Sequence, residues 1–282
     1  MPIRNGSQYI SGLRDGREVW YGGEKVADVT KFPQFEAAVR SIAELYDMQH
    51  EPDTRELLVC HSEEVGQEVG RAFQIPRTAD DLRLKREAYF AWAQANCGMV
   101  GRSPDFLNVM LAALAAKKSF FAEDSAERAN NVFEYYRFVA RNDLFMTHAL
   151  LDPQLDKGKL RNEQSDPAIC LQVVDENENG IVLSGIKRIA TAAPYADELL
   201  VWPFPPTFQR GEESYANVFA IPMNTKGLKT ICRPSFSNIG TTRDFPLSSR
   251  FDEMDATVVF EDVLVPWDRV FVYKNVSLLN RM

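Results

Sequence analysis

Across Asn142–Lys159 (NDLFMTHALLDPQLDKGK) the apolar pattern of this chain changes its period. Before it, apolar residues recur three and four apart, as on one face of a helix; Phe35, Ala38, Val39, Ile42, Leu45 and Tyr46 are an example. After it, short β-branched or apolar runs are separated by Gly, Pro and Asn clusters, which is strand punctuation. A chain with one such change is expected to be α+β and multidomain. We assign an N-terminal α-helical domain to residues 1–144 and a small antiparallel β-barrel or sandwich to 145–272. Residues 273–282 read as the beginning of a further helix that is cut short. A seam between two folds is a natural place for a pocket. This seam holds His148, one of three histidines, and histidine is the side chain suited to proton work near neutral pH.

In the N-terminal part, helices are expected near 8–13 and from Phe35 to Met48, around a hairpin near 18–29 that turns at Gly22-Gly23. A long helix over Ala79–Cys97 takes Asp80 as N-cap and Gly98 as its stop. The next opens at Ser103-Pro104-Asp105, with a cap serine, a proline at the first position and an acid against the helix dipole. Another spans Glu123–Val139, where Phe133, Tyr136 and Val139 form a core stripe. Strands are expected at Ile169–Val174, Ile181–Ser184, Leu199–Trp202, Ala216–Ile221, Lys229–Cys232 and Ala256–Phe260, with a turn at Glu178-Asn179-Gly180.

A formal net charge of −8 leaves no basic excess to neutralise phosphates, which argues against a nucleic-acid binder. The cysteines Cys60, Cys97, Cys170 and Cys232 are widely spaced and form no C-x-x-C, so neither a metal site nor a disulfide framework is expected. That usage fits a reducing cytoplasm. The start MPIRNGSQYI has no apolar core of a secretion leader, and no apolar run approaches membrane-spanning length. No G-x-G-x-x-G, G-x-x-x-x-G-K-[ST], H-E-x-x-H or G-x-S-x-G occurs, so dinucleotide folds, P-loop chemistry, zinc proteolysis and serine hydrolysis lack support. His50 and His61 sit in polar sequence and read as surface residues.

Two local features remain. Gly101–Phe106 (GRSPDF) places Arg102 at a helix start with an aromatic one turn on. Arg102 reads either as a clamp for an anion or phenolate, or as a solvated or Asp105-paired surface residue. His148 follows Thr147 in a mostly apolar run, and reads either as a proton-handling group or as a core histidine with its hydrogen bond satisfied.

At these residues the sequence resembles the 4-hydroxyphenylacetate 3-monooxygenase oxygenase family, flavin-dependent aromatic hydroxylases that work in two components. The similarity runs through YISGLRDGREVW, GRSPDF, THALLDPQLDK, SGIKRIATAAPYADELLVWP and FDEMDATVVFEDVLVPWDRVF, in order along the whole chain. It implies an acyl-CoA-dehydrogenase-like architecture: a helical domain, a central β-barrel and a C-terminal helical bundle, the last absent from this sequence. By the same resemblance, Arg102 and His148 bind the substrate phenol and are the catalytic pair. Phe106 borders the substrate, and Pro203 and Phe204 lie on a loop that closes over it. Gln154, Leu155, Asp156, Lys157 and Thr191 contact the flavin.

The cofactor implied is FAD, delivered as FADH2 by a separate NADH-dependent reductase. Its hydroperoxide, formed with O2, would hydroxylate a phenol ortho to the oxygen. A cytoplasmic homo-oligomer, a tetramer in the family, is implied too. The alternative is a non-catalytic flavin-binding remnant, or one half of a split enzyme. One departure stands out: the archetypal hydroxylases carry tyrosine where this chain has Phe106, which cannot donate a hydrogen bond. A related branch, 4-hydroxybutyryl-CoA dehydratase, holds an iron–sulfur cluster, but Cys97 has no second cysteine close behind it.

Overall fold

The computed structural model describes residues 3–153, 156, 158–203, 207–237 and 240–282. Several of its helices begin where the sequence supplies caps. Asn5 caps α1 (Gly6–Gly12) in a reciprocal box with Gln8. The hairpin β1 (Glu18–Tyr21) and β2 (Glu24–Lys25) turns at Gly22 and Gly23, whose φ values of 60° and 88° require glycine's freedom. Helix α2 (Glu36–Met48) turns Val39, Ile42, Leu45 and Tyr46 inward. There follow α3 (Pro52–Leu58) and the two-stranded pair β3 (Val59–Ser62) and β4 (Gln67–Gly70).

Helix α4 (Ala79–Ala95) is capped by Thr78, not by Asp80 as expected. The Thr78 hydroxyl accepts the Asp81 N–H at 3.1 Å, and the Asp81 carboxylate returns to the Thr78 N–H at 2.8 Å. Threonine with an acid three residues on closes that reciprocal box, which Asp80 has no partner to do. Helix α5 (Pro104–Ala116) starts at the expected proline. The short α6 (Lys118–Phe121) precedes α7 (Ala126–Asn142), which is capped by Ser125 and ends on Asp143 in the left-handed region.

The second half supplies β5 (Met146–Ala149), β6 (Gln172–Asn177), β7 (Gly180–Thr191), β8 (Glu198–Val201), β9 (Val218–Pro222), β10 (Leu228–Cys232), β11 (Asp255–Pro266), β12 (Val270–Val272) and the short α8 (Val276–Leu279). One sheet runs β2-β1-β10-β11-β7-β6 and the other β12-β9-β8-β5. The turn at Glu178-Asn179-Gly180 pairs Asn177 with Gly180, as expected. The wholly antiparallel barrel is not found. Among the described residues the two sheets stay open, and each contains a parallel pair, β1 with β10 and β5 with β8. β1 joins β10 from the N-terminal part of the chain, and β5 joins β8 with β6 and β7 intervening; strands linked through such long connections need no hairpin geometry.

The two layers stack as a sandwich. Phe219 of β9 and Phe260 of β11 meet edge-on at 6.1 Å between ring centroids, both fully buried. Burying an aromatic ring of this size contributes about 2 kcal/mol. The N-terminus is bolted to the seam. Arg4 makes a two-pronged bond to Asp197 at 2.6 and 3.0 Å, and the same carboxylate accepts the Phe145 N–H at 2.8 Å. Directly after Phe145, at Met146, the chain enters the strand that carries His148.

Candidate active site

His148 lies on β5, which runs parallel to β8 with His148 opposite Leu200. Pairing on this side and packing beneath α5 leave the imidazole 7% exposed. Burial, and then the neighbouring Arg102 charge, push its pKa down to about 4. At neutral pH the ring is therefore uncharged. Arg102 Nε donates to His148 Nε2 at 3.3 Å. A guanidinium has donors only, so Nε2 holds the lone pair and the ring proton resides on Nδ1. That Nδ1 is buried and has no hydrogen-bond partner. The site therefore contains a buried donor waiting for an acceptor.

Arg102 precedes the first turn of α5. Its guanidinium lies over the Phe106 ring, 4.4 Å from the centroid, and Phe106 faces the His148 ring at 6.0 Å. The surface reading that pairs Arg102 with Asp105 is not what forms: Asp105 is held instead by the Ser103 hydroxyl. Pro104 presets the backbone for the helix, and α5 then delivers Phe106 one turn from Arg102. The triad combines a fixed positive charge, an apolar ring and a neutral imidazole donor. Such a set suits a flat aromatic anion.

Thr191, at the end of β7, is tied to the same point. The Thr147 hydroxyl donates to the Thr191 carbonyl at 2.5 Å, and the Thr191 hydroxyl donates to Asp255 Oδ1 at 2.7 Å. Pro203 is buried just beyond β8, on the side where Trp202 N–H reaches the Ala149 carbonyl at 3.4 Å. Asp156 is exposed and bonds within its own loop, accepting from the Gly158 N–H at 2.9 Å, so its contacts do not join the cluster. Gln154, Leu155, Lys157 and Phe204 lie outside the described residues.

Three acids that residue patterns alone did not mark complete the surroundings. Asp152, four residues past His148, pairs with Lys187 at 2.5 Å and Arg161 at 2.6 Å. Asp255 anchors Thr191, and Glu253 accepts the backbone N–H of Arg102. Glu253 and Asp255 sit in the FDEMDATVVF stretch, where carboxylates at the mouth of an apolar strand are the feature that points to them. Among the described residues no three His, Cys, Asp or Glu converge as metal ligands, and no helix is long and apolar enough to cross a membrane.

The family described as 4-hydroxyphenylacetate 3-hydroxylase, N-terminal, matches residues 5–272. The chain belongs to that family. Relatives include a 4-hydroxyphenylacetate 3-monooxygenase oxygenase component of Thermus thermophilus, 46% identical over 279 residues, covering 98% of this chain and 56% of the relative. A Rhodococcus 4-nitrophenol 2-monooxygenase oxygenase component is 37% identical, covering 95% of this chain and 51% of that one. The crystal structure of a 4-hydroxyphenylacetate 3-monooxygenase oxygenase component with FAD and 4-hydroxyphenylacetate superposes with a TM-score of 0.91 at 45% identity, covering 99% of this chain and 57% of that chain. The chain thus spans a little over half the length of these members of the 3-hydroxylase family.

Proposed function

We propose that this chain forms the phenol-binding wall, and part of the flavin-binding wall, of the oxygenase component of a two-component phenol ortho-hydroxylase, with 4-hydroxyphenylacetate or a close analogue as substrate. The observation that carries the reading is the Arg102–His148 contact, which leaves one unpartnered donor and one arginine charge beside an aromatic face. A phenol oxygen accepts the proton of His148 Nδ1, and Arg102 favours the phenolate by charge. Phenolate character raises electron density at the ortho carbon, the atom to be hydroxylated. With its Nε2 already engaged, His148 serves the reacting oxygen as a donor. Phe106 packs the ring of the substrate.

The fit to a flavin rests on residues of β7 and the chain leaving β5. Leu151 and Ile189 are both 41% exposed, apolar and adjacent through the Leu151–Arg188 bridge, and Thr191 lies on the same strand. An exposed apolar shelf beside a buried imidazole suits one face of a fused ring system. Reduced FAD, when bound, supplies the activated oxygen. The buried walls around His148 keep water from it. A separate reductase furnishes the FADH2, and a homo-oligomer is the working assembly in this reading.

Anaerobic mixing of the chain with FADH2, followed by oxygenated 4-hydroxyphenylacetate, tests the proposal. Catechol product, or saturable binding of the phenol that Arg102→Ala abolishes, supports it. Loss of both overturns it.

A further inference from the structure

We propose that Glu253 is a positioning residue for the phenol site: from two residues before β11 its carboxylate grips the backbone N–H of Arg102 and fixes where the guanidinium stands. The inference rests on reading Arg102 and His148 as that site.

Arg102 lies one residue before the N-cap of α5, outside the helical ladder. Ser103, the cap residue, makes no side-chain bond to the helix backbone and gives its hydroxyl to Asp105. The backbone of Arg102 is therefore held from across the fold, by the Glu253 carboxylate. The second oxygen of that carboxylate faces Gly101, where a Cβ would stand 3.8 Å away. The acid thus spans the last two residues before the cap. Burial pushes its carboxyl up, and the Arg102 N–H and charge offset this.

The platform beneath Glu253 is fixed on both sides. Asp252 accepts Arg233 Nη2 at 2.7 Å, the Ser235 hydroxyl at 2.7 Å and the Phe236 N–H at 2.8 Å. Met254 N–H donates to the Tyr195 hydroxyl at 3.0 Å, and its carbonyl accepts Ala192 N–H at 2.8 Å. Asp255 holds Thr191. Consecutive residues of one strand mouth therefore reach both Arg102 and Thr191.

How Glu253 spends its charge matters. A carboxylate closed onto a guanidinium would neutralise the charge that a phenolate needs. Here the carboxylate takes the amide instead, and the guanidinium lies over Phe106 and against His148. The acid fixes the arginine without quenching it.

The test needs neither flavin nor phenol, so its failure is separate from failure of the functional reading. Only three histidines are present, so ring-labelled NMR can follow the His148 titration directly. In Arg102→Ala the midpoint should rise, because a nearby positive charge is gone. Glu253→Ala should raise it by a comparable amount, at least half a pH unit. Glu253→Gln keeps an acceptor of the same reach and should titrate like the parent. Adding Glu253→Ala to Arg102→Ala should change nothing further. If Glu253→Ala does not fold, Glu253→Asp, one methylene too short for the amide, should behave as the alanine variant would. A parent-like midpoint in the folded alanine or aspartate variant overturns the proposal. So does a shift that adds fully to that of Arg102→Ala, since Glu253 would then act by packing rather than through the arginine.

Discussion

Arg102 Nε donates to His148 Nε2 across 3.3 Å, joining the chain that leads into α5 to the strand β5 and fixing which ring nitrogen carries the proton. Burial first, and the Arg102 charge second, oppose protonation of the ring and keep a neutral imidazole at the seam.

The depressed His148 pKa has a consequence for stability. The folded ring binds its proton near pH 4, whereas an unfolded histidine does so near 6.5. Between these values the unfolded chain holds more protons, so this contribution is full above pH 6.5 and is lost as pH falls toward 4. A shift of this size corresponds to about 3 kcal/mol. Urea unfolding at pH 7 and pH 4 should show the parent losing more stability than His148→Gln over that interval. Equal losses in both proteins would show that His148 does not carry the effect.

Asp143 should act in the opposite direction. It is buried at the end of α7 with φ 49°, and accepts Gln49 Nε2 at 2.8 Å. Burial pushes its carboxyl up to about 6. The folded state then holds more protons between the ordinary value of 3.8 and 6, so the contribution is present at low pH and lost as pH rises through that window. Asparagine keeps the acceptor and tolerates the left-handed backbone. Asp143→Asn should therefore gain on the parent by up to about 3 kcal/mol between pH 4 and pH 7. A stability difference independent of pH would refute this.

Phe106→Tyr places a hydroxyl at the aromatic position that faces His148. One added neutral hydrogen bond to the ligand is worth about 1 kcal/mol, or roughly fivefold in affinity. Calorimetric titration with 4-hydroxyphenylacetate should show tighter binding of that order. An unchanged Kd would sink the idea that this position tunes the choice of phenol.

What could be read from the sequence follows from the range of the interactions involved. The start of α5 was legible because the proline at its first position is a local signal, although the expected Ser103 cap bond does not form, and the β6–β7 turn because Asn-Gly is local too. Each expected strand of the second half has its counterpart, but β7 and β11 extend to 12 residues, well past their apolar runs. Their outer halves are held by pairing to one another, which no window of sequence reports. The parallel addition of β1 to β10 joins residues more than 200 apart and has no local mark. In the site, Arg102 and His148 were visible as residue types, but their contact was not. Glu253 and Asp255 carry a weak mark, acids next to an apolar strand, but their partners Arg102 and Thr191, like the Lys187 and Arg161 partners of Asp152, are supplied only by the fold.

The strongest structural consequence concerns Asp152. It sits on the chain leaving β5 and receives Lys187 and Arg161, while Arg161 also reaches the fully buried Glu212 at 3.0 Å. Although burial alone would raise it, those two cations hold the Asp152 carboxyl below its usual range. Lys187 is 2% exposed and also donates to the Leu150 carbonyl at 3.4 Å. Asp152→Ala strands the Lys187 charge in the interior, and removing one partner of such a pair costs about 3–5 kcal/mol. Changing both partners, as Asp152→Ala with Lys187→Met, removes the uncompensated charge and should recover a large part of that loss. If the exposed shelf at Leu151 forms the flavin wall proposed above, the same single change loosens the chain next to it, and flavin affinity should fall. Urea unfolding of the parent, the single and the double variant, alongside flavin titration, provides the check. A double variant no more stable than Asp152→Ala would show that the lost packing, and not the orphaned lysine, sets the cost.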